Sequence, residues 1–310
     1  MPAPDLPLVV LRSVALSEGL DDGELARMVR RRELVHLQRG SYLARAPDTP
    51  EARHRAVVVA TVAGLRLPGA VSHTSAAALH GLPLFRVPLD RVHVIRRPPA
   101  SGSGSARVHL HVARLEPDDT TVVGHVLVTD VTRTVVDLAR SLPFESAVVA
   151  ADAALARRST TREQLTACLD RMGSVPGRRA ATRALAFADP RSESVGESRS
   201  RVLFQRAGIP APELQVRVRR PGDGSLVGRS DFGWADLATL GEFDGRVKYG
   251  RLLRPGQSAG DAVYEEKLRE DEFRDRGWQV ARWTWSELDD PGVVTGRLHR
   301  AFARGQRRRP

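Results

Sequence analysis

Apolar and polar positions change period several times along the chain, and each change marks an element. Leu25, Met28 and Val29 recur at helical spacing behind Asp21 and Asp22, either of which can cap a helix running to Arg32. From Glu33 to Leu43 the period drops to two, giving a hairpin that turns near Arg39-Gly40. Glu51 to Leu65 is helical again, and "SHTSAAALHGLP" is a capped, Ala-rich helix ending at Gly81-Leu82-Pro83. The runs "RVHVI", "RVHLHVARL" and "VVGHVLVTD" predict strands, after which Asp130 can cap "VTRTVVDLAR" and "FESAVVAADAAL" supplies a further helix. "TTREQLTACLD" and the segment ending near Asp189-Pro190 add two more.

Beyond residue 190 the pattern is sharper. A helix over "SESVGESRSRVLFQRAG" stops at Gly208, and strands follow at about 214–220, 226–234 and 238–244. Then come a helix, "AVYEEKLREDEFRDRG", a strand, "WQVARWTW", and a terminal helix. The expected fold class is α/β in the multidomain α+β sense. Its parts are an N-terminal winged helix-turn-helix over 1–50, a mixed α/β middle domain over 51–190, and an α-β-β-β-α-β domain over 191–310. The four tryptophans, Trp234, Trp278, Trp283 and Trp285, all fall in the last part and predict a well-filled core there.

The second and third strands of that part form a hairpin centred between Asp236 and Leu237, which sets Asp231 opposite Glu242 and Arg229 opposite Asp244. Alternation puts Asp231, Glu242 and Asp244 on one face and Phe232 and Phe243 on the other. Like charges directly opposite are unfavourable on a sheet, so this patch needs a compensating cation. Either a divalent metal supplies it, with Asp231, Glu242 and Asp244 as hard oxygen ligands, or Arg229 and Arg246 do.

Composition sharpens the picture at two points. The chain of 310 residues has 48 Lys+Arg and a net charge of +11, which favours a polyanionic partner, with DNA or RNA ahead of a membrane surface. Only two of those cations are lysines, Lys248 and Lys267, and both lie just downstream of the acidic hairpin, where a compact ammonium could assist phosphodiester chemistry. The lone Cys168 excludes an internal disulfide and paired-cysteine zinc sites. No apolar run reaches the roughly 18–20 residues of a membrane span, and the start lacks signal-peptide regions, so the expected location is cytoplasmic.

Other residues carry weaker signals. Arg27, Arg30 and Arg31 on the first helix and Arg39 on the wing are candidates for phosphate contact, against the alternative of a solvated basic helix. Ser194-x-x-Glu197 is a capping box, so Glu197 can act at a site or simply cap its own helix. His73, His80, His93, His109, His111 and His125 have no carboxylate at ligand spacing and read as ordinary polar or half-buried residues, although His109 and His111 share a strand face. Ser72-His73 lacks the elbow motif of a nucleophilic serine.

Two resemblances join these pieces. "GLDDGELARMVRRRELVHLQRGSYLA" resembles the N-terminal winged helix of AbiEi-like antitoxins of type IV toxin–antitoxin systems, apart from an abbreviated leading helix, "LVVLRSVALSEGL". "SHTSAAALHGLP" and "VTDVTRTVVDLAR" resemble the middle region that accompanies it. The α-β-β-β-α-β order with Glu197, Asp231 and Glu242-Phe243-Asp244-Gly245 resembles the PD-(D/E)XK nuclease core, and "EFDG" with "EEKLREDEFRDRGWQVARWTW" is similar to its Vsr-like endonuclease branch. This implies a metal-dependent endonuclease using Mg²⁺ or Mn²⁺, with Glu197, Asp231, Glu242, Asp244, Lys248 and Lys267 as catalytic candidates. Asp244 stands where the nuclease archetype has lysine, so the other expectation is a non-catalytic DNA-binding regulator or antitoxin with a toxin as partner.

Overall fold

The computed structural model describes residues 6–65, 69–100, 106–245 and 259–307. The fold is mixed α/β, and the chain divides into two compact units, Met1–Pro190 and Arg191–Pro310. No helix among the described residues is long and apolar enough to cross a membrane.

The first unit begins with β1 (Val9–Leu11), α1 (Arg12–Ser17), α2 (Asp22–Arg30), β2 (Val35–Gln38) and β3 (Ser41–Leu43). The strands form an antiparallel sheet in the order β1-β3-β2. Part of the expected leading helix is therefore strand, because the apolar Val9–Leu11 run pairs along β3. Asp21 caps α2 by accepting from the Glu24 amide at 2.8 Å, while the Glu24 side chain accepts from the Asp21 amide at 2.9 Å. Leu25, Ala15 and Leu34 close a small core beneath it. Leu37 and Leu43 pack on Ala56 and Ala60 of α3 (Pro50–Ala63), so the small sheet and this helix share a core.

A five-stranded sheet comes next, in the order β6-β5-β4-β8-β7. Its strands are β4 (Ala70–Val71), β5 (Val92–Arg96), β6 (Val108–Val112), β7 (Thr120–Val123) and β8 (Val126–Thr129). Val58, Leu79, Val92, Val94 and Val128 fill the core between one sheet face and the helices α3 and α4 (His73–Leu79). The unit ends in α5 (Val131–Ser141), α6 (Phe144–Ala156), α7 (Arg162–Arg171) and α8 (Arg178–Phe187). Asp130 caps α5 by accepting from the Arg133 amide.

α5 is buried from Arg133 to Ala139, so the Arg133 guanidinium needs internal partners. It donates to Asp137 at 2.9 Å, to the Arg114 carbonyl at 3.1 Å and to Asp119 at 3.3 Å. Arg171 and Arg140 take the remaining oxygens of Asp119 and Asp137 at 3.1 and 3.0 Å.

The second unit runs α9 (Val195–Arg206), β9 (Glu213–Arg219), β10 (Leu226–Trp234), β11 (Thr239–Asp244), α10 (Ala259–Asp275), β12 (Gln279–Thr284) and α11 (Pro291–Arg307). β9, β10 and β11 are antiparallel and β12 joins β11 in parallel. Phe204, Phe232, Trp234, Phe243, Trp283 and Phe302 fill one face; Val218, Leu240 and Phe273 fill the other. Trp283 is fully buried among these rings and Trp278 packs against the second cluster. Trp285 stays at the edge, standing edge-on to Phe243 with ring centres 4.9 Å apart.

Arg133→Met should test how far the first unit depends on its buried ion network. It leaves the two buried carboxylates with only Arg171 and Arg140 as charge partners and should lower stability by about 3–5 kcal/mol in denaturant unfolding, whereas Arg133→Met with Asp137→Leu should recover part of that loss.

Candidate functional site

The acidic site rests on the pairing of β10 with β11. Phe232 faces Gly241, Gly233 faces Leu240 and Trp234 faces Thr239, a register that continued by one step sets Asp231 against Glu242. Phe232 and Phe243 turn into the aromatic core, leaving Asp231, Glu242 and Asp244 to the other side. The chain reverses through a single 3₁₀ turn, Ala235–Leu237, with Ala238 left-handed at φ 43°.

Parallel pairing with β12 then sets Arg282 beside Glu242. Glu242 is 8% exposed, and its Oε2 lies 2.8 Å from an Arg282 guanidinium nitrogen. Arg269 of α10 reaches the same carboxylate at 3.4 Å. Burial nevertheless pushes the Glu242 carboxyl above its usual range, outweighing the two arginines, and nearby Asp231 pushes the same way. Arg282 also bridges to Glu266 and, at 3.1 Å, to Glu270, so one face of α10 is tied to the strand through charge. Arg229 does not neutralise this patch: its fork grips Glu193 with two bonds of 2.8 Å. Arg246 lies outside the described residues.

Glu197 enters from α9. A Cβ on Gly196 would lie 1.9 Å from the Phe243 ring, so only glycine lets the first turn of this helix sit so close to β11. Glu197 Oε1 accepts from the Ser194 hydroxyl at 2.7 Å, and Oε2 accepts from the Glu193 amide at 3.0 Å. The Ser194 hydroxyl in turn caps the helix by accepting from the Glu197 amide. The capping role is therefore real, displaced by one residue from the usual box. A third bond comes from Gln215 Nε2 at 2.8 Å. Gln215 has φ 58° inside β9, and this kink breaks alternation: Leu214 and Val216, two residues apart, pack into different cores. Sequence reading misses Gln215, because a glutamine within an alternating strand gives no sign of a left-handed backbone.

These contacts do not fix the charge on Glu197. Burial first, and then the charge of Asp231, push its carboxyl up to about 7. Asp231 itself is half-buried and accepts from the Phe243 amide at 2.8 Å. Asp231 thus bears on both Glu197 of the helix and Glu242 of the next strand, while the three carboxylates do not gather within ligand distance of one another. Asp244 is half-buried, two residues along the same face at the end of β11. Lys267 is exposed on α10, off the stripe of Glu266, Arg269, Glu270 and Phe273 that packs on the sheet, so it does not join the group. Lys248 lies outside the described residues.

On the first unit, Arg27, Arg30, Arg31 and Arg39 are all exposed. Arg27 has a loose neighbour in Glu24 at 3.7 Å. Four of the six histidines singled out above converge. His73, His93, His109 and His111 stack successively, with ring centres 3.9 Å apart for His73–His111 and 4.1 Å for His109–His111. Burial, with the mutual repulsion of neighbouring imidazoles, lowers His93 and His111 to about 4 and drives His73 well below its ordinary value. His80 instead binds the Thr129 carbonyl at 2.7 Å, and His125 is exposed. Ser72 bonds His73 at 3.0 Å but is fully buried, which leaves no access for a nucleophile.

No protein-family profile matches the chain. Over 175 residues it is 29% identical to uncharacterized protein MT2308 of Mycobacterium tuberculosis (strain CDC 1551 / Oshkosh), and equally to uncharacterized protein Rv2248 of strain ATCC 25618 / H37Rv. The match takes in 56% of this chain and 60% of those proteins. Among solved structures, the RV2827C protein from Mycobacterium tuberculosis aligns with a TM-score of 0.36 at 16% identity, covering 69% of this chain and 84% of that one.

The raised Glu197 pKa has a definite sign in stability. A carboxyl whose folded pKa exceeds its unfolded one favours folding when protonated, so stability should fall as pH rises from about 4.5 to about 7, then level off. The group's contribution across that window is about 3 kcal/mol. Carboxyl-carbon NMR titration should find a midpoint near 7 for Glu197, and Asp231→Asn should lower it.

Proposed function

We propose that the chain is a cytoplasmic DNA-binding protein whose C-terminal unit hydrolyses phosphodiester bonds with Mg²⁺ or Mn²⁺. The carrying observation is Asp231, which the strand register sets against Glu242 and whose charge, after burial, also raises the Glu197 and Glu242 carboxyls. Hard carboxylate oxygens from a rigid helix and sheet suit a small divalent cation. Bound there, the cation would supply Lewis acidity toward a phosphoryl oxygen and an activated water.

The chain's own residues divide the remaining work. Asp231, held by the Phe243 amide, and Glu242 provide the charged oxygens. Glu197, titrating about 7, can hold or release a proton on a neighbouring water near neutral pH. Gln215 fixes the orientation of Glu197. Asp244 stands one step further along the same face as an additional oxygen ligand. The exposed Arg27, Arg30, Arg31 and Arg39 fit phosphate contact by a helix and wing, which would position the chain on duplex DNA without reading bases.

One observation favours a second reading. Arg282 and Arg269 already sit on Glu242, as expected of a nuclease-like scaffold that retains its acidic strand without turnover. In that case the chain acts as a DNA-binding regulator or antitoxin, with a toxin as its partner.

Nicking of supercoiled plasmid separates the two. Wild type should cleave with Mg²⁺ or Mn²⁺ and not with EDTA. Glu242→Gln and Asp231→Asn should abolish cleavage while DNA binding and folding persist. Absence of cleavage by wild type, or equal cleavage by Glu242→Gln, selects the regulator. Replacing Arg27, Arg30 and Arg39 together with alanine should weaken binding to every DNA sequence and flatten the dependence of affinity on salt. Unchanged affinity in a filter-binding or anisotropy titration would place the DNA contact elsewhere.

A further inference from the structure

A second, chemically different cluster lies in the first unit. His73, His93 and His111 each offer a ring nitrogen, and these three nitrogens all lie within 4.8 Å of one another. They come from three places far apart in sequence, and ordered backbone fixes each. His93 and His111 lie on adjacent parallel strands, where His93 pairs with His109 and Ile95 with His111. His73 opens α4, and the Ser72 amide beside it donates to the His93 carbonyl at 2.9 Å, which ties the helix start to β5. His73 is also held at φ 51°, a left-handed backbone that a histidine adopts at a cost.

The group has the chemistry of a soft-to-borderline metal site. His93 Nδ1 and His111 Nε2 are 2.9 Å apart, so one hydrogen bond joins two of the rings. His73 Nδ1 engages Ser72 Oγ at 3.0 Å, an outer bond of the kind that orients a ligating imidazole. Each imidazole, in its neutral form, has one ring nitrogen with a lone pair to give to a metal. Burial falls off from His73, which is 7% exposed, through half-buried His93 and His111 to exposed His109, and this gradient gives an entry path. Arg140 and Arg133 bear on His73, but Asp137 and Asp119 already match their charges.

We propose that His73, His93 and His111 bind one divalent late first-row transition ion, zinc being the best fit, with the fourth position left to solvent. Three imidazoles without a carboxylate select against Mg²⁺ and Ca²⁺. Zinc takes histidine nitrogens at about 2.0–2.1 Å in tetrahedral geometry, which puts ligand nitrogens roughly 3.3 Å apart. The three nitrogens now lie within 4.8 Å of one another, with His93 Nδ1 and His111 Nε2 at 2.9 Å. The site is independent of the acidic group and of the DNA contact, and its test involves neither.

Metal-stripped full-length protein should be titrated with Co²⁺, whose visible absorption reports coordination number, and then challenged with Zn²⁺. Wild type should bind one equivalent with the spectrum of a low-coordinate nitrogen site, and Zn²⁺ should displace it. His93→Ala and His111→Ala should each weaken binding by more than about 100-fold, beyond the loss typical of removing only a supporting group. His125→Ala, at an exposed turn, should bind as wild type does. If either ligand variant fails to match the wild-type circular dichroism in EDTA, protection of wild-type histidines from diethylpyrocarbonate by one equivalent of Zn²⁺ provides the same reading. No stoichiometric binding by wild type, no protection, or undiminished binding by both ligand variants would overturn the site.

Discussion

The acidic group depends on the register between β10 and β11. Strand side chains alternate, so a slip of one residue would carry Asp231 and Glu242 into the aromatic core and bring Phe232 and Phe243 out of it. The core forbids that slip: Phe232 and Trp283 lie in one ring cluster with Phe204, and the Phe243 ring fills the space that Gly196 leaves open. Burial of aromatic area thus holds two carboxylates face to face, an arrangement that their own charges oppose. Packing in one face of the sheet sets the electrostatics of the other.

The manner in which the charge is offset decides what the site can do. Arg282 arrives on Glu242 because β12 runs parallel to β11 in the next position, and Arg269 arrives because α10 covers that face. These guanidiniums bear mainly on Glu242. Glu197, at the α9 side, is pushed up to about 7 first by burial and then by the charge of Asp231. Here Arg282 and Arg269 stand on Glu242, while Glu197 is held by the Glu193 amide, the Ser194 hydroxyl and Gln215.

Most elements can be read from period and caps, because burial of one face imposes the period directly. The Asp130 cap of α5, the Ser194 cap of α9 and the centre of the β10–β11 hairpin all derive from local chemistry. Contacts set by neighbours distant in sequence are not legible. Arg282 and Arg269 become partners of Glu242 only once β12 and α10 dock, and nothing in "WQVARWTW" marks Arg282 as facing a carboxylate. The start of the chain misleads for a related reason: Val9–Leu11 carries no turn signal, and its pairing with β3 takes it from the expected leading helix. The histidines read as isolated because His73 is brought to His93 and His111 by a helix start hydrogen-bonded to a strand, which spacing along the chain does not record.

Three buried polar clusters of this chain meet one cost, that of taking ionisable groups out of water, in three ways. Around Arg133 the charges are matched by Asp119 and Asp137, with Arg140 and Arg171 taking further oxygens of those carboxylates. Such closure leaves nothing for a ligand to supply, and the network belongs to the fold. Glu242 of the second unit has two arginines beside it, yet burial still raises its carboxyl and that of Glu197. The histidines avoid the cost by remaining neutral, which removes repulsion but leaves ring lone pairs gathered in one place. Incomplete compensation of either kind is stable only because surrounding packing holds it, and it is at such points that binding energy from outside the chain has most to gain.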